Sequence, residues 1–218
     1  MASRPIAAVL DMDGLLLDSE VLYREAFRRA RAALGLPPDD ALFHSLIGTN
    51  GQSGAAILEA ALGPRRAAFV ARWDAEADAA FAAPVPVKPT VRDTLAALTA
   101  RDVPLVVATS TRAEVARARL DKAGLSALLP RLVGGDQVRR GKPDPEVFLR
   151  AADLLGLSPS RCAAFEDSAN GVRAAVAAGM VVTQIPDLVP PTPELRALGH
   201  RIAPDLRRGV VGVGLLPG

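Results

Sequence analysis

Five short apolar runs, at residues 6–10, 105–108, 132–134, 162–165 and 181–185, set the strongest constraint on how this chain folds. Each has the length of a strand and gives way to polar or small residues. Helical patterns separate the later runs. Residues 91–100 carry apolar positions at helical spacing, and 113–123 stop at Gly124. Asp144 and Pro145 read as the cap and first turn of a helix that stops near Gly156, and 171–178 stop at Gly179. Strands alternating with helices predict a doubly wound parallel α/β sheet, Rossmann-like, covered on both faces. Such sheets bind ligands beyond the carboxyl ends of their strands. The polar residues just after each run are therefore the candidates for function.

Residues 18–85 break the alternation. They hold no strand pattern, and 20–34, 53–62 and 65–81 read as helices, the first two closed by Gly35 and Gly63. The expected organisation is a core of residues 1–17 and 86–218 with an all-helical cap, 18–85, inserted after the first strand. The proline-rich stretch 83–89 is a stiff connector back to the core. Trp73 is assigned to packing within the cap. The run Gly209-Val210-Val211-Gly212-Val213-Gly214 is assigned to a tail, since no helical pattern follows it.

Composition removes several function classes. The 26 Lys and Arg nearly balance 24 Asp and Glu, and the arginines are spread along helical stretches with few aromatics between them. That is a solvated helix surface, so no nucleic-acid partner is expected. The single cysteine, Cys162, lies in an apolar run and permits neither an intramolecular disulfide nor a cysteine-rich zinc site. No apolar run reaches membrane-spanning length, and Asp11 and Asp13 interrupt the stretch where a signal-peptide core would lie. The expected setting is soluble and cytoplasmic. His44 and His200 fit no catalytic pattern.

Four strand-end features carry chemistry. Asp11 and Asp13, with Gly14 next, follow the first run; two close carboxylates suit a bound cation or a simple turn equally well. Thr109, Ser110 and Thr111 follow the second run and precede a helix. They can cap that helix or cradle a phosphate. Lys142, one of three lysines, sits in the rigid turn Gly141-Lys142-Pro143-Asp144-Pro145. Held there, an ammonium can offset carboxylate and phosphoryl charge. Glu166 and Asp167 end the fourth run, ahead of Ser168, and add oxygen ligands or helix caps. Each feature alone has a plain structural explanation. All four converge where the topology places ligands, and together they supply the parts for phosphoryl transfer through an aspartyl-phosphate.

The segment Asp11-Met12-Asp13-Gly14-Leu15-Leu16-Leu17-Asp18-Ser19-Glu20, then Thr109, then Lys142, then Glu166-Asp167, resembles in order the four motifs of the haloacid dehalogenase superfamily. The likeness is to its helical-cap subgroup, which includes beta-phosphoglucomutases and sugar-phosphate phosphatases. The resemblance implies that Asp11 is the nucleophile and Asp13 the general acid and base. It implies Mg2+ held by Asp11, the Asp13 carbonyl and Asp167, with Glu166 contributing from behind. Thr109, Ser110 and Lys142 would bind the phosphoryl oxygens. Asp13 favours phosphoryl transfer over dehalogenation, which needs only the nucleophile. The substrate side is expected to use Tyr23, Thr49 and Asn50, with Gln52 beside them; Tyr23 equally suits packing inside the cap. Where the mutases carry a histidine and a cap arginine, this sequence has Tyr23 and Gly51. The implied activity is hydrolysis of a small phosphorylated metabolite, a sugar phosphate, by a monomer. A mutase and a non-catalytic phospho-acceptor are the rival readings.

Overall fold

The computed structural model describes residues 4–47 and 51–218, and of 51–53 the backbone alone. The five apolar runs become β1 (Ala7–Leu10), β2 (Leu105–Ala108), β3 (Leu132–Val133), β4 (Cys162–Glu166) and β5 (Val181–Gln184). A sixth strand, β6 (Arg201–Ile202), joins them in the order β3-β2-β1-β4-β5-β6, every pair parallel. The chain moves outward from β1 to β3, then returns to the far side of β1 as β4. That reversal makes the carboxyl ends of β1 and β4 the switch point of the sheet.

Alternation along these strands divides two cores. Ala8, Leu10, Val107, Ala163 and Phe165 face one layer of helices. Ala7, Val9, Val106, Ala108, Cys162 and Ala164 face the other. All are at most 5 % exposed, which is why the runs lack a polar face in sequence.

The helices are α1 (Ser19–Ala33), α2 (Asp40–Leu46), α3 (Gly51–Leu62), α4 (Arg66–Ala80), α5 (Val91–Thr99), α6 (Ala113–Lys122), α7 (Glu146–Leu154), α8 (Ala169–Ala177), α9 (Pro193–Arg196) and α10 (Leu206–Gly212). Helices α1 to α4 form the inserted cap around their own cluster of Phe27, Ala30, Leu42, Phe43, Leu58 and Phe69. Trp73 packs edge-on against Phe27 with ring centres 5.2 Å apart.

The structure departs from the sequence reading at several ends. The 209–214 run is no tail: Asp205 accepts the Arg208 N–H as a cap, and Leu206 and Val210, one turn apart, bury in the core beside the sheet. Pro145, not Asp144, occupies the cap position of α7; the Asp144 carboxylate accepts from Glu146 N instead. Ser168 caps α8 by accepting from Gly171 N, so that helix starts two residues before Gly171. Helix α2 is seven residues long, too short to show a period. Strand β6 is two exposed residues with no apolar run to announce it.

Candidate active site

Parallel pairing of β1 with β4 sets the centre of the site. Leu10 and Phe165 are register partners, and Asp11 N donates to the Phe165 carbonyl at 3.0 Å. Asp11 therefore leaves β1 beside Glu166, the last residue of β4. The turn that follows needs Gly14. Its φ is +84°, and a Cβ there would lie 2.2 Å from Asp167 Oδ2. Glycine lets the loop after β1 pass against the loop after β4.

Lys142 ties these strand ends together. Its ammonium donates to Asp11 Oδ1 at 2.5 Å, to Glu166 Oε1 at 2.7 Å and to the Ala108 carbonyl at 3.0 Å. That last acceptor ends β2, so a single cation contacts the ends of three strands. Ser168 completes Glu166: its N–H and hydroxyl both donate to Oε2, at 2.7 and 2.9 Å. Both Glu166 oxygens are thus engaged. A Cβ at Gly171 would fall 1.7 Å from Glu166 Oε1, so α8 presents a bare backbone where the carboxylate lies.

Electrostatics follow from this burial. Desolvation pushes Asp11 up to about 8; Lys142 opposes the rise, while Glu166 and Asp13 add to it. Burial, then Glu166 and Asp11, hold Asp167 well above the usual carboxylate range. Burial alone would lower Lys142, but Asp11 and Glu166 outweigh it and raise the ammonium above its ordinary value.

Oxygens of Asp11, Glu166 and Asp167 all lie within 4.8 Å of one another. A hard, all-oxygen set of this kind suits magnesium, which takes one or two carboxylates and fills its shell with water and phosphate oxygens. Glu166 is already spoken for by Lys142 and Ser168, so Asp11 and Asp167 are the carboxylates with room for an ion. Behind them, Gln184 at the end of β5 donates to the Asp167 carbonyl at 3.0 Å and meets His200 Nε2 at 2.9 Å. His200, which had no role in the sequence reading, buttresses the acidic loop through Gln184.

The loop after β2 faces the same centre. Thr109 is buried, and its Oγ1 accepts the Thr111 N–H at 3.1 Å, leaving its own hydroxyl proton to donate. Ser110 is exposed on the cleft. The Thr111 hydroxyl donates to Asp13 Oδ2 at 2.7 Å. Arg119, from α6, takes the other Asp13 oxygen at 3.0 Å.

A cleft of about 420 Å3 opens beside Asp13, within the usual range for small-molecule sites. Tyr23, Phe43 and Trp73 line it from the cap, with Glu20 and Asp74; Ser110 and Thr111 line it from the core. Tyr23 does both things the sequence left open. It faces the cleft, and its ring packs on Phe81 at 4.8 Å between centres. Thr49 and Asn50 lie outside the described residues, as does the side chain of Gln52.

Sequence reasoning missed Arg119 and Glu20. Arg119 was pooled with Arg117 as helix surface. Two residues along an α-helix is roughly a half-turn, so the neighbours point apart: Arg117 reaches the Leu129 and Pro130 carbonyls, Arg119 the site. Glu20 sat inside the first motif as a helix start. Burial, with Asp187 and Asp13 nearby, pushes it up to about 7.

Comparison with known proteins agrees with this geometry. A phosphorylated carbohydrates phosphatase from Thermotoga maritima is 36 % identical over 176 residues, covering 80 % of this chain and 82 % of that protein. The fructose-1-phosphate phosphatase YqaB of Escherichia coli is 31 % identical over 192 residues, covering 83 % and 96 %. The crystal structure of a putative beta-phosphoglucomutase from Thermotoga maritima superposes with a TM-score of 0.78 at 31 % identity, covering 95 % and 97 %. The family model of the haloacid dehalogenase-like hydrolases matches residues 7–179, which include Asp11, Asp13, Thr109, Lys142, Glu166 and Asp167, and the chain belongs to that family.

Proposed function

We propose that this enzyme hydrolyses a small phosphate monoester, a sugar phosphate, with Asp11 as nucleophile and Mg2+ as cofactor. One observation carries the reading: Asp11, Glu166 and Asp167 gather at adjacent strand ends, one buried lysine ties Asp11 to Glu166, and Asp13 stands two residues along at the mouth of a cleft. The family match and the phosphatase relatives support it.

The residues divide the work in two steps. An Asp11 oxygen attacks phosphorus as the P–O bond to the leaving group breaks, and Asp13 gives its proton to the departing oxygen. Asp13, now a carboxylate, takes a proton from water as that water attacks the aspartyl-phosphate, releasing phosphate and restoring Asp11. Lys142 and the Thr109 hydroxyl hold the phosphoryl oxygens, and Ser110 joins them from the cleft. Asp11, Asp167 and the Asp13 carbonyl would hold Mg2+, which would supply charge neutralisation between the carboxylates and the phosphoryl group. Glu166 keeps Lys142 in place.

The cleft favours a monophosphate over a bisphosphate. Its described lining carries Asp13, Glu20 and Asp74 and no Lys or Arg, and Arg119, which meets this wall, is engaged by Asp13 and Tyr23 rather than open to a second phosphate. Residues 48–53, Gly-Thr-Asn-Gly-Gln-Ser, are also without charge. Aromatic faces beside carboxylates suit the apolar and hydroxyl faces of a neutral sugar. This weighs against the mutase reading, which must grip both ends of a bisphosphate.

The test is phosphate release from a panel of phosphorylated metabolites, with and without Mg2+. Wild-type protein is expected to turn over at least one sugar monophosphate only with the metal. Asp11→Asn is expected to lose at least about 10^4-fold, as nucleophile knockouts do. Isomer interconversion seen by phosphorus NMR with added bisphosphate would favour the mutase. A stable aspartyl-phosphate without turnover would favour the acceptor.

A further inference from the structure

Arg119 joins two parts of the molecule with one guanidinium. It stands on α6 in the core, 12 % exposed at its side chain. Nη1 donates to Asp13 Oδ1 at 3.0 Å, and Nη2 donates to the Tyr23 hydroxyl at 3.1 Å. The guanidinium carbon lies 3.8 Å from the centre of the Phe81 ring and 5.8 Å from that of Tyr23. Tyr23 belongs to α1, and Phe81 directly follows α4. One face of the fork is thus stacked on cap aromatics, one prong holds a cap hydroxyl, and the other prong holds Asp13.

With Thr111 on Oδ2 and Arg119 on Oδ1, both oxygens of Asp13 are oriented from α6 and the loop before it. A planar, rigid fork fixes a carboxylate's direction in a way that a single ammonium cannot. We infer that Arg119 is a positioning residue for Asp13: it sets the carboxylate's aim and ties that aim to the seat of the cap through Tyr23. This rests on Asp13 acting as general acid and base, as proposed above. Arg119 does not touch the reacting atoms; it acts through Asp13.

The two chemical steps allow a test that a merely structural arginine would not pass. An alkyl phosphate needs Asp13 to protonate its leaving oxygen. In 4-nitrophenyl phosphate the nitrophenolate departs without a proton, and only the second step needs Asp13, as a base. Arg119→Lys and Arg119→Met are each assayed with the best alkyl phosphate of the wild type. The expected result is a fall in kcat of roughly 10- to 100-fold, the cost of a misplaced reacting group, with KM within about twofold. With 4-nitrophenyl phosphate both variants are expected to release one rapid equivalent of nitrophenolate near the wild-type rate, then turn over slowly. Tyr23→Phe, which keeps the ring and loses the hydroxyl, is expected to show a smaller fall in the same step. Combined with Arg119→Lys it should add little, because the two act as one unit.

Melting temperatures of all variants are measured alongside. An Arg119→Lys enzyme with wild-type kcat on the alkyl phosphate overturns the inference. So does an equal loss on both substrates without a burst, or a variant faster than wild type. A wild type that releases no phosphate overturns the phosphatase reading itself, and the inference with it; an active wild type with unaffected Arg119 variants overturns the inference alone.

Discussion

The site has two walls, and they are built differently. The core wall is made where strands end. Asp11, Lys142, Glu166 and Ser168 are linked by short hydrogen bonds, and backbone geometry at Gly14 and Gly171 leaves room for little else. The cap wall is made by side chains reaching from helix surfaces. Tyr23, Phe43 and Trp73 present rings, Glu20 and Asp74 present charge, and Arg119 crosses from the core to meet them. A network closed on itself tolerates almost no substitution. An open surface tolerates many, each with a modest change in what it accepts. Enzymes of one chemistry and many substrates need this division: a fixed reacting centre and an adjustable wall.

The sharpest test of the core wall is Lys142→Met. The methionine fills similar volume but leaves Asp11 and Glu166 facing each other without a cation. Loss of one such charge-stabilising donor is expected to cost on the order of 10^2- to 10^3-fold in kcat. Melting should shift as well, since an ion pair 6 and 8 % exposed is broken on one side. Near-normal turnover would mean that the core wall is no closed network.

A gentler break is Gly171→Ala. The new methyl would lie 1.7 Å from Glu166 Oε1, so Glu166 must give up its bonds to Lys142 or Ser168. Overpacking of this kind costs about 1–3 kcal/mol. Activity is expected to fall with stability, although no reacting residue has changed. Unchanged melting and unchanged kcat would show that the carboxylate has slack that the geometry denies it.

The same contrast explains how much could be read from the chain. The core wall was legible because strand ends are positions on a topology. Once the apolar runs gave a parallel sheet, Asp11, Thr109 and Glu166 had to emerge on one edge, and Lys142 was drawn in by charge. The cap wall was not, because it depends on the rotation of helices about their axes and the angle at which they meet. Arg117 and Arg119 look alike in sequence, and only packing decides which one faces Asp13. Helix α10 was missed for a related reason. Its glycines hid a short amphipathic turn whose partner, Phe165, lies over forty residues earlier.

Burial that the single cation Lys142 offsets only in part makes the core wall sensitive to pH in the metal-free enzyme. Asp11 is raised from 3.8 to about 8 and Asp167 is also raised, so between about pH 4 and 8 the folded state holds protons that the unfolded chain releases. Stability contributed by these groups is present at the acid end and is lost as pH rises through that window. Lys142, raised from an ordinary value already above the window, stays charged in both states and adds no slope there. The melting temperature without metal is expected to fall between pH 5 and 8, with about 2–4 °C for each kcal/mol in a chain of this size. Added Mg2+ should restore it, and the gain should grow with pH, since the ion binds deprotonated carboxylates. A metal-induced gain that shrinks as pH rises would place the ion away from Asp11 and Asp167.

The smallest effect is expected at the cap wall, and it asks whether charge there selects substrates. Asp74 is exposed on α4 and lines the cleft, out of hydrogen-bond contact with Asp11 and Lys142. Asp74→Lys reverses one charge and leaves the aromatic rings in place. Exposed charges interact weakly, by about 1 kcal/mol or less, which limits the shift to about fivefold. The expected outcome is a rise of that size in kcat/KM for a sugar bisphosphate relative to its monophosphate, with kcat for the neutral sugar monophosphate within about twofold of wild type. The preference should fade as salt is added, because screening acts on exposed charges first. If the ratio does not move, or moves equally at high salt, the acidic lining is not what excludes the second phosphate. Shape, set by Phe43, Ile47 and Trp73, would then do so.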